Sequence, residues 1–249
     1  MKRIDPLNGL LLLLFISIFV FASCHKDHVI VPQKGIDLVL NATEQHQATA
    51  DNAFTFNLFK TVRSASTDGK NLFISPLSVS FALGMTSNGA KGATLEAIRN
   101  TLGFNAFTQA DMNSYYNKLI TDLPKLDPQT TLKIANSIWY RQGFSVLPQF
   151  ISTDSAYFHA KVQSLNFNDP SSANTINSWV NNQTNGKIPA IVDQIDDSDV
   201  MFLINAIYFK SVWNSKFDAS QTRPGPFYLP DVSTVQADMM KGDKINYNL

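Results

Sequence analysis

Between positions 51 and 64 the apolar residues Phe54, Leu58, Phe59 and Val62 recur at helical spacing, and Asp51 stands where an N-cap would. The spacing predicts an amphipathic helix. Residues 71–74 are a short apolar run that reads as a strand. Ser75-Pro76 then pairs an N-cap residue with proline at the first helical position, where its missing N–H costs nothing. The helix it opens, residues 76–87, is apolar on most sides and is expected to be buried. Asn88-Gly89 ends it, and a further helix with Leu95, Ile98 and Leu102 on one face closes at Gly103.

Residues 132–140 alternate as a strand, with Leu132, Ile134, Ile138 and Tyr140 on one face. A helix over 148–158 and a strand over 162–167 follow. Asp169-Pro170 opens a helix that carries Ala173, Ile176, Trp179 and Val180 and is closed by Asn185-Gly186. Its polar face, Asn177, Asn181 and Asn182, is expected to meet water or a partner. Residues 200–209 (VMFLINAIYF) are apolar on both faces apart from Asn205, the pattern of a strand covered on both sides at the centre of a sheet. Helices and strands mixed without strict alternation argue an α+β fold.

The first 24 residues are laid out as a secretory signal peptide: Lys2 and Arg3, an apolar run over 10–21, then Ala22, Ser23 and the lone Cys24. The run is short of the roughly 20 residues that cross a bilayer. Small residues directly before Cys24 resemble the lipobox of bacterial lipoproteins, with Phe21 where Leu is usual. Lipidation of Cys24 after removal of residues 1–23 would anchor the chain to a membrane, as a secreted cell-envelope or extracellular protein. The alternative is ordinary cleavage that leaves a free thiol, a liability in an oxidising compartment. Residues 24–50 carry no sustained period and read as a lipidated tether and linker, leaving 51–249 as one domain.

Composition narrows the chemistry. A chain of 249 residues with 44% hydrophobic and 16% charged residues is globular rather than disordered. Its 20 basic and 20 acidic residues balance, so no nucleic-acid partner is expected. One cysteine excludes an internal disulfide and a multi-cysteine metal site, and four scattered histidines (His25, His28, His46, His159) leave little for a cluster. GMTSNGAK at 84–91 resembles a phosphate loop, but Ala90 stands where Lys is required and the segment lies at a helix end. Asp193, Asp196, Asp197 and Asp199 lack the ligand spacing and turn glycine of a calcium loop. His159 has no Ser or Cys nearby to serve as its nucleophile. No catalytic residue, metal site or cofactor is assigned, and an enzyme has no constellation behind it.

At 71–104 the sequence NLFISPLSVSFALGMTSNGAKGATLEAIRNTLGF closely resembles the serpin family of protease inhibitors. The likeness continues in family order through LKIANSIWY at 132–140, INSWVNNQTNGKI at 176–188, FLINAIYFKSVWNSKFDASQTRPGPFY at 202–228 and DMMKG at 238–242. The resemblance implies the serpin fold, helices around large mixed sheets, held in a metastable state with an exposed reactive loop. It also implies a target protease of the serine or cysteine class. The protease attacks the loop, which inserts into the main sheet as an extra strand while the acyl-enzyme is intact. Such a strand would enter beside residues 200–209 and gain a hydrogen-bond ladder and apolar contacts there.

Individual positions carry over. Ser75 and Ser78 resemble the family's shutter serines, Asn205 the shutter asparagine, and Trp213 the breach tryptophan where the loop first enters the sheet. Taken from the residues alone, Ser75 is a helix cap, Asn205 a structural polar contact that needs buried partners, and Trp213 a core aromatic. In the family the reactive loop follows the DMMKG block. The resemblance therefore implies that the reactive centre is not in this chain and that the C-terminal part of the fold is missing. The function expected is a serpin-type inhibitor that traps proteases covalently by loop insertion, represented by a truncated chain; the alternative is a non-inhibitory binding or scaffold protein of the cell envelope.

Overall fold

The computed structural model describes residues 35–67, 69–213 and 216–242. Cys24 and the segment read as a signal peptide lie outside the described residues.

Helix α1 (Ala42–Ala65) begins well before Asp51, so residues 42–50 of the segment read as tether are helical. Its start is set by a capping box: Asn41 Oδ1 accepts from the Glu44 N–H at 2.9 Å, and Glu44 Oε2 accepts from the Asn41 N–H at 2.8 Å. Asp51 is thus no cap. It lies inside the helix with its side chain buried, accepting from the Ser80 hydroxyl at 3.0 Å and the Tyr116 hydroxyl at 3.3 Å.

Residues 71–74 have no regular secondary structure and pair with no strand among the described residues, and Phe73 is 98% exposed. The expected strand fails here because a short apolar run becomes a strand only with a neighbour to bond. Helix α2 (Pro76–Gly89) follows with proline in its first turn, and it buries Phe81 and Met85 completely. Gly84 lets the neighbouring helices approach: a Cβ there would meet the Tyr116 ring at 2.9 Å and the Phe158 ring at 3.0 Å. GMTSNGAK forms the end of this helix, where the Ala90 N–H bonds the carbonyls of Thr86 and Ser87. Helix α3 (Gly92–Leu102) stops at Gly103, whose φ of 73° is the left-handed conformation glycine tolerates.

Helix α4 (Gln109–Asp122) and helix α5 (Pro148–Phe158) complete one core with Leu102, Phe104, Tyr116 and Phe158 fully buried. Strand β1 (Thr131–Arg141) pairs in parallel with β2 (Lys161–Leu165) and antiparallel with β3 (Met201–Lys210). Among the described residues the order is β2-β1-β3, with β1 between the other two and no strand on the far side of β3, whose apolar sequence suggested a central strand. Helices explain the difference. Leu203 and Ile207 of β3 pack toward the α1–α5 core, while Phe202, Ile204 and Ala206 join Trp139 under helix α6 (Ser171–Gln183). Both faces are covered without a second strand neighbour. A separate hairpin joins β4 (Arg223–Tyr228) to β5 (Thr234–Met239).

Candidate functional site

The inner face of the sheet alternates apolar and polar positions directly above α2. Ile134 and Ile138 of β1 face the core with Asn136 between them, and the antiparallel register sets Asn136 opposite Asn205 of β3. The Ser78 hydroxyl, in the first turn of α2, donates to Asn205 Oδ1. Asn205 Nδ2 donates to Asn136 Oδ1 at 2.7 Å, and Asn136 Nδ2 donates to the Phe158 carbonyl at 2.7 Å. A one-way relay therefore runs from α2 through β3 and β1 to the end of α5. Its last acceptor is a backbone carbonyl, which fixes both amide orientations. Asn136 is 3% exposed and Asn205 half-buried, so these bonds replace contacts with water that burial removed.

The relay includes only part of the expected set. Ser78 and Asn205 meet as anticipated. Ser75 does not join them: it is exposed, its side chain makes no cap bond, and its carbonyl accepts from the N–H groups of Ser78 and Val79. Trp213 lies beyond the end of β3 and is 75% exposed, so it is not the core aromatic expected. Asn136 was not anticipated, although a lone Asn at an inward position between two isoleucines is the same signal that singled out Asn205.

Beside the relay, a cavity of about 720 Å³ lies between α2, the outer side of β3 and the connector from α6, with Ser78, Leu83, Val192, Leu203 and Asn205 in its walls. Two side chains pin that connector. Asn177 accepts from the N–H groups of Ile191 and Val192 at 2.9 and 3.0 Å and donates to the Val192 carbonyl at 2.7 Å. It is therefore turned inward, not toward water or a partner. Arg141 donates to the carbonyls of Asp196, Asp197 and Asp199, so the acidic loop presents its backbone to a cation and its carboxylates outward or to neighbouring groups.

Chemically the relay is uncharged, and it can hold or release but not transfer a group. Asp51 bonds Ser80, two residues along α2 from Ser78; burial pushes its carboxyl up to about 6 against the lowering effect of its hydroxyl partners. His159 ends α5 in the left-handed conformation with Nε2 3.2 Å from Asn117 Nδ2. Among the described residues no helix is long and apolar enough to cross a membrane.

The family described as serpin (serine protease inhibitor) matches residues 49–249. The chain belongs to the serpin family. The leukocyte elastase inhibitor of Xenopus laevis is 35% identical over 210 residues, spanning 82% of this chain and 55% of that protein. The serpin fold is shown by solved structures as well. Cleaved kallistatin complexed with heparin superposes with a TM-score of 0.73 at 31% identity, covering 79% of this chain and 58% of that one. Human thyroxine-binding globulin complexed with thyroxine gives 0.71 at 32% identity, over 80% and 54% of the two chains. This serpin chain spans about half the length of the curated relatives it matches.

Proposed function

We propose that this chain supplies the helix-and-sheet portion of a serpin-type inhibitor that traps serine or cysteine proteases by inserting its cleaved loop as a strand. One observation carries the reading: the outer edge of β3 pairs with no strand among the described residues, while its inner face is tied to α2 by the Ser78–Asn205–Asn136 relay. An edge strand with unpaired N–H and C=O groups is a template for a further strand. Ser78 and Asn205 act as the shutter that yields when β3 is pushed aside, with Ser75 at the helix start beside them, and Trp213 stands where the inserted strand first meets the sheet.

The test is a fusion of this chain to the part of the Xenopus laevis elastase inhibitor that its alignment leaves uncovered. Mixed with elastase, the fusion is expected to give a denaturant-resistant covalent complex. A folded fusion that forms none, or is cleaved as an ordinary substrate, overturns the reading.

The likeness to thyroxine-binding globulin favours a second reading, a carrier or scaffold without inhibitory action. For location, we infer from the signal layout that Cys24 is lipidated and holds the protein at the cell envelope. Two or more acyl chains hold firmly where one does not. Fractionation of wild type and Cys24→Ser is expected to move the protein from the membrane to the soluble fraction; equal partitioning refutes lipidation.

A further inference from the structure

The last turn of α2 carries a second polar cluster, separate from the relay. Asn88 Nδ2 donates to Asp154 Oδ1 at 2.8 Å, while Asn88 Oδ1 accepts from Gln109 Nε2 at 2.8 Å and Asn113 Nδ2 at 3.0 Å. Gln109 Nε2 also donates to Ser87 Oγ at 2.7 Å, and the Ser87 hydroxyl donates to the Gly84 carbonyl at 2.6 Å. Helices α2, α4 and α5 thus meet at one side-chain amide. Asp154 is 0% exposed and Asn113 4%.

Donors and acceptors do not balance here. Asp154 Oδ2, Gln109 Oε1 and Asn113 Oδ1 are all buried without a hydrogen-bond partner. Turning over any one of the three amides alone would set oxygen against oxygen, so the surplus of acceptors is not removed that way. Among the described residues no cation bears on Asp154, which is influenced by burial and by Asn88. Helix α2 has no ionisable side chain. On α4, the Asp111 carboxylate is taken by Thr108, Lys118 pairs with Asp122 at 3.2 Å, and the Tyr116 hydroxyl is directed to Asp51, whose charge also bears on Tyr115. Asp154 is the only acid of α5, Tyr157 is that helix's other ionisable residue, and His159 beyond it lies against Asn117. Lys161 of β2 stands over the Trp139 ring, 5.0 Å from its centroid.

We propose that Asp154 is a proton-binding site that governs how tightly α2, α4 and α5 close on one another. As the neutral acid, Asp154 converts one surplus acceptor into the donor that the cluster lacks. As the carboxylate, it is a buried charge held by a single amide, and the junction loosens. Burial is the main influence on it, pushing the carboxyl up to about 7 against the Asn88 bond. The folded chain then binds this proton more tightly than the unfolded chain. The stabilisation is complete below the ordinary carboxylate range and is lost as pH rises through about 7. Asp51, raised to about 6, acts in the same direction from the middle of α1. Because α2 carries Ser78 in its first turn and Asn88 near its last, loosening one end bears on the helix that anchors β3 at the other.

Hydrogen–deuterium exchange of the whole chain, corrected for the intrinsic pH dependence of exchange, tests this on peptides covering 84–92, 109–116 and 148–158. Protection in all three is expected to fall between pH 6 and 8, at most about tenfold per pH unit for one proton. Asp154→Asn keeps the shape, cannot titrate and is expected to flatten the profile above pH 7, leaving only the fall that Asp51 contributes around pH 6, while Asp51→Asn retains the fall through about 7. A wild-type profile that is flat or rises with pH overturns the proposal even should the variant not fold, as does an unchanged slope in Asp154→Asn. Sodium or calcium chloride at constant ionic strength against choline chloride is expected to leave protection at pH 8 unchanged. Selective protection by either metal ion would mean that the surplus oxygens hold a metal and would overturn the proton assignment.

Discussion

Asn136 shows how much a single polar residue contributes when its neighbours are apolar. It accepts from Asn205 and donates to the Phe158 carbonyl, so Asn136→Ala leaves one donor and one acceptor buried without partners. The expected loss is about 1–3 kcal/mol in urea unfolding, the usual cost of an unmet buried polar group. Ser78→Ala removes the donor to Asn205 Oδ1 and is expected to couple with Asn136→Ala in a double-mutant cycle, since both act through one amide. Strict additivity would break the relay into unrelated contacts. Asn205 was legible in the sequence as a lone polar residue in an apolar strand, and Ser78 through its resemblance to the family's shutter serine. Asp51 was misread because an N-cap and a buried helical Asp look alike until the residues facing them, Ser80 and Tyr116, are known.

At the scale of elements, local signals were reliable and pairing was not. Proline marks the starts of α2 and α5, glycine the ends of α2 and α3, and an apolar face the stretch between, all features within a few residues of one another. The start of α1 was equally local, in Asn41 and Glu44, but was passed over for Asp51. Asn41→Ala is expected to cost about 1 kcal/mol and to speed amide exchange in the first turn of α1 alone. Exchange unchanged in that turn would mean that packing, not the capping box, holds the helix start. The run at 71–74 and the place of β3 among the described strands went the other way, because whether a segment becomes a strand, and where, depends on neighbours far along the chain.

For the molecule as a whole, the exposed apolar side chains set the expected behaviour in solution. Phe73, Phe209 (67% exposed) and Trp213 stand in water, and the outer edge of β3 presents a ten-residue strand whose only charge is Lys210 at its end. The 249-residue chain, purified alone, is expected to self-associate. Light scattering that shows a monodisperse monomer would refute that statement. Sequence alone determined the α+β composition, most helix limits, two members of the relay and the family, since periodicity, capping and motif order are written in neighbouring residues. Only the tertiary structure decided that β1 lies between β2 and β3 among the described residues, that Asn136 completes the relay, and that Asp51 and Asp154 are buried acids. Those outcomes depend on which faces meet across wide separations, 69 positions in the case of Asn136 and Asn205, and burial is a property of the meeting rather than of either partner.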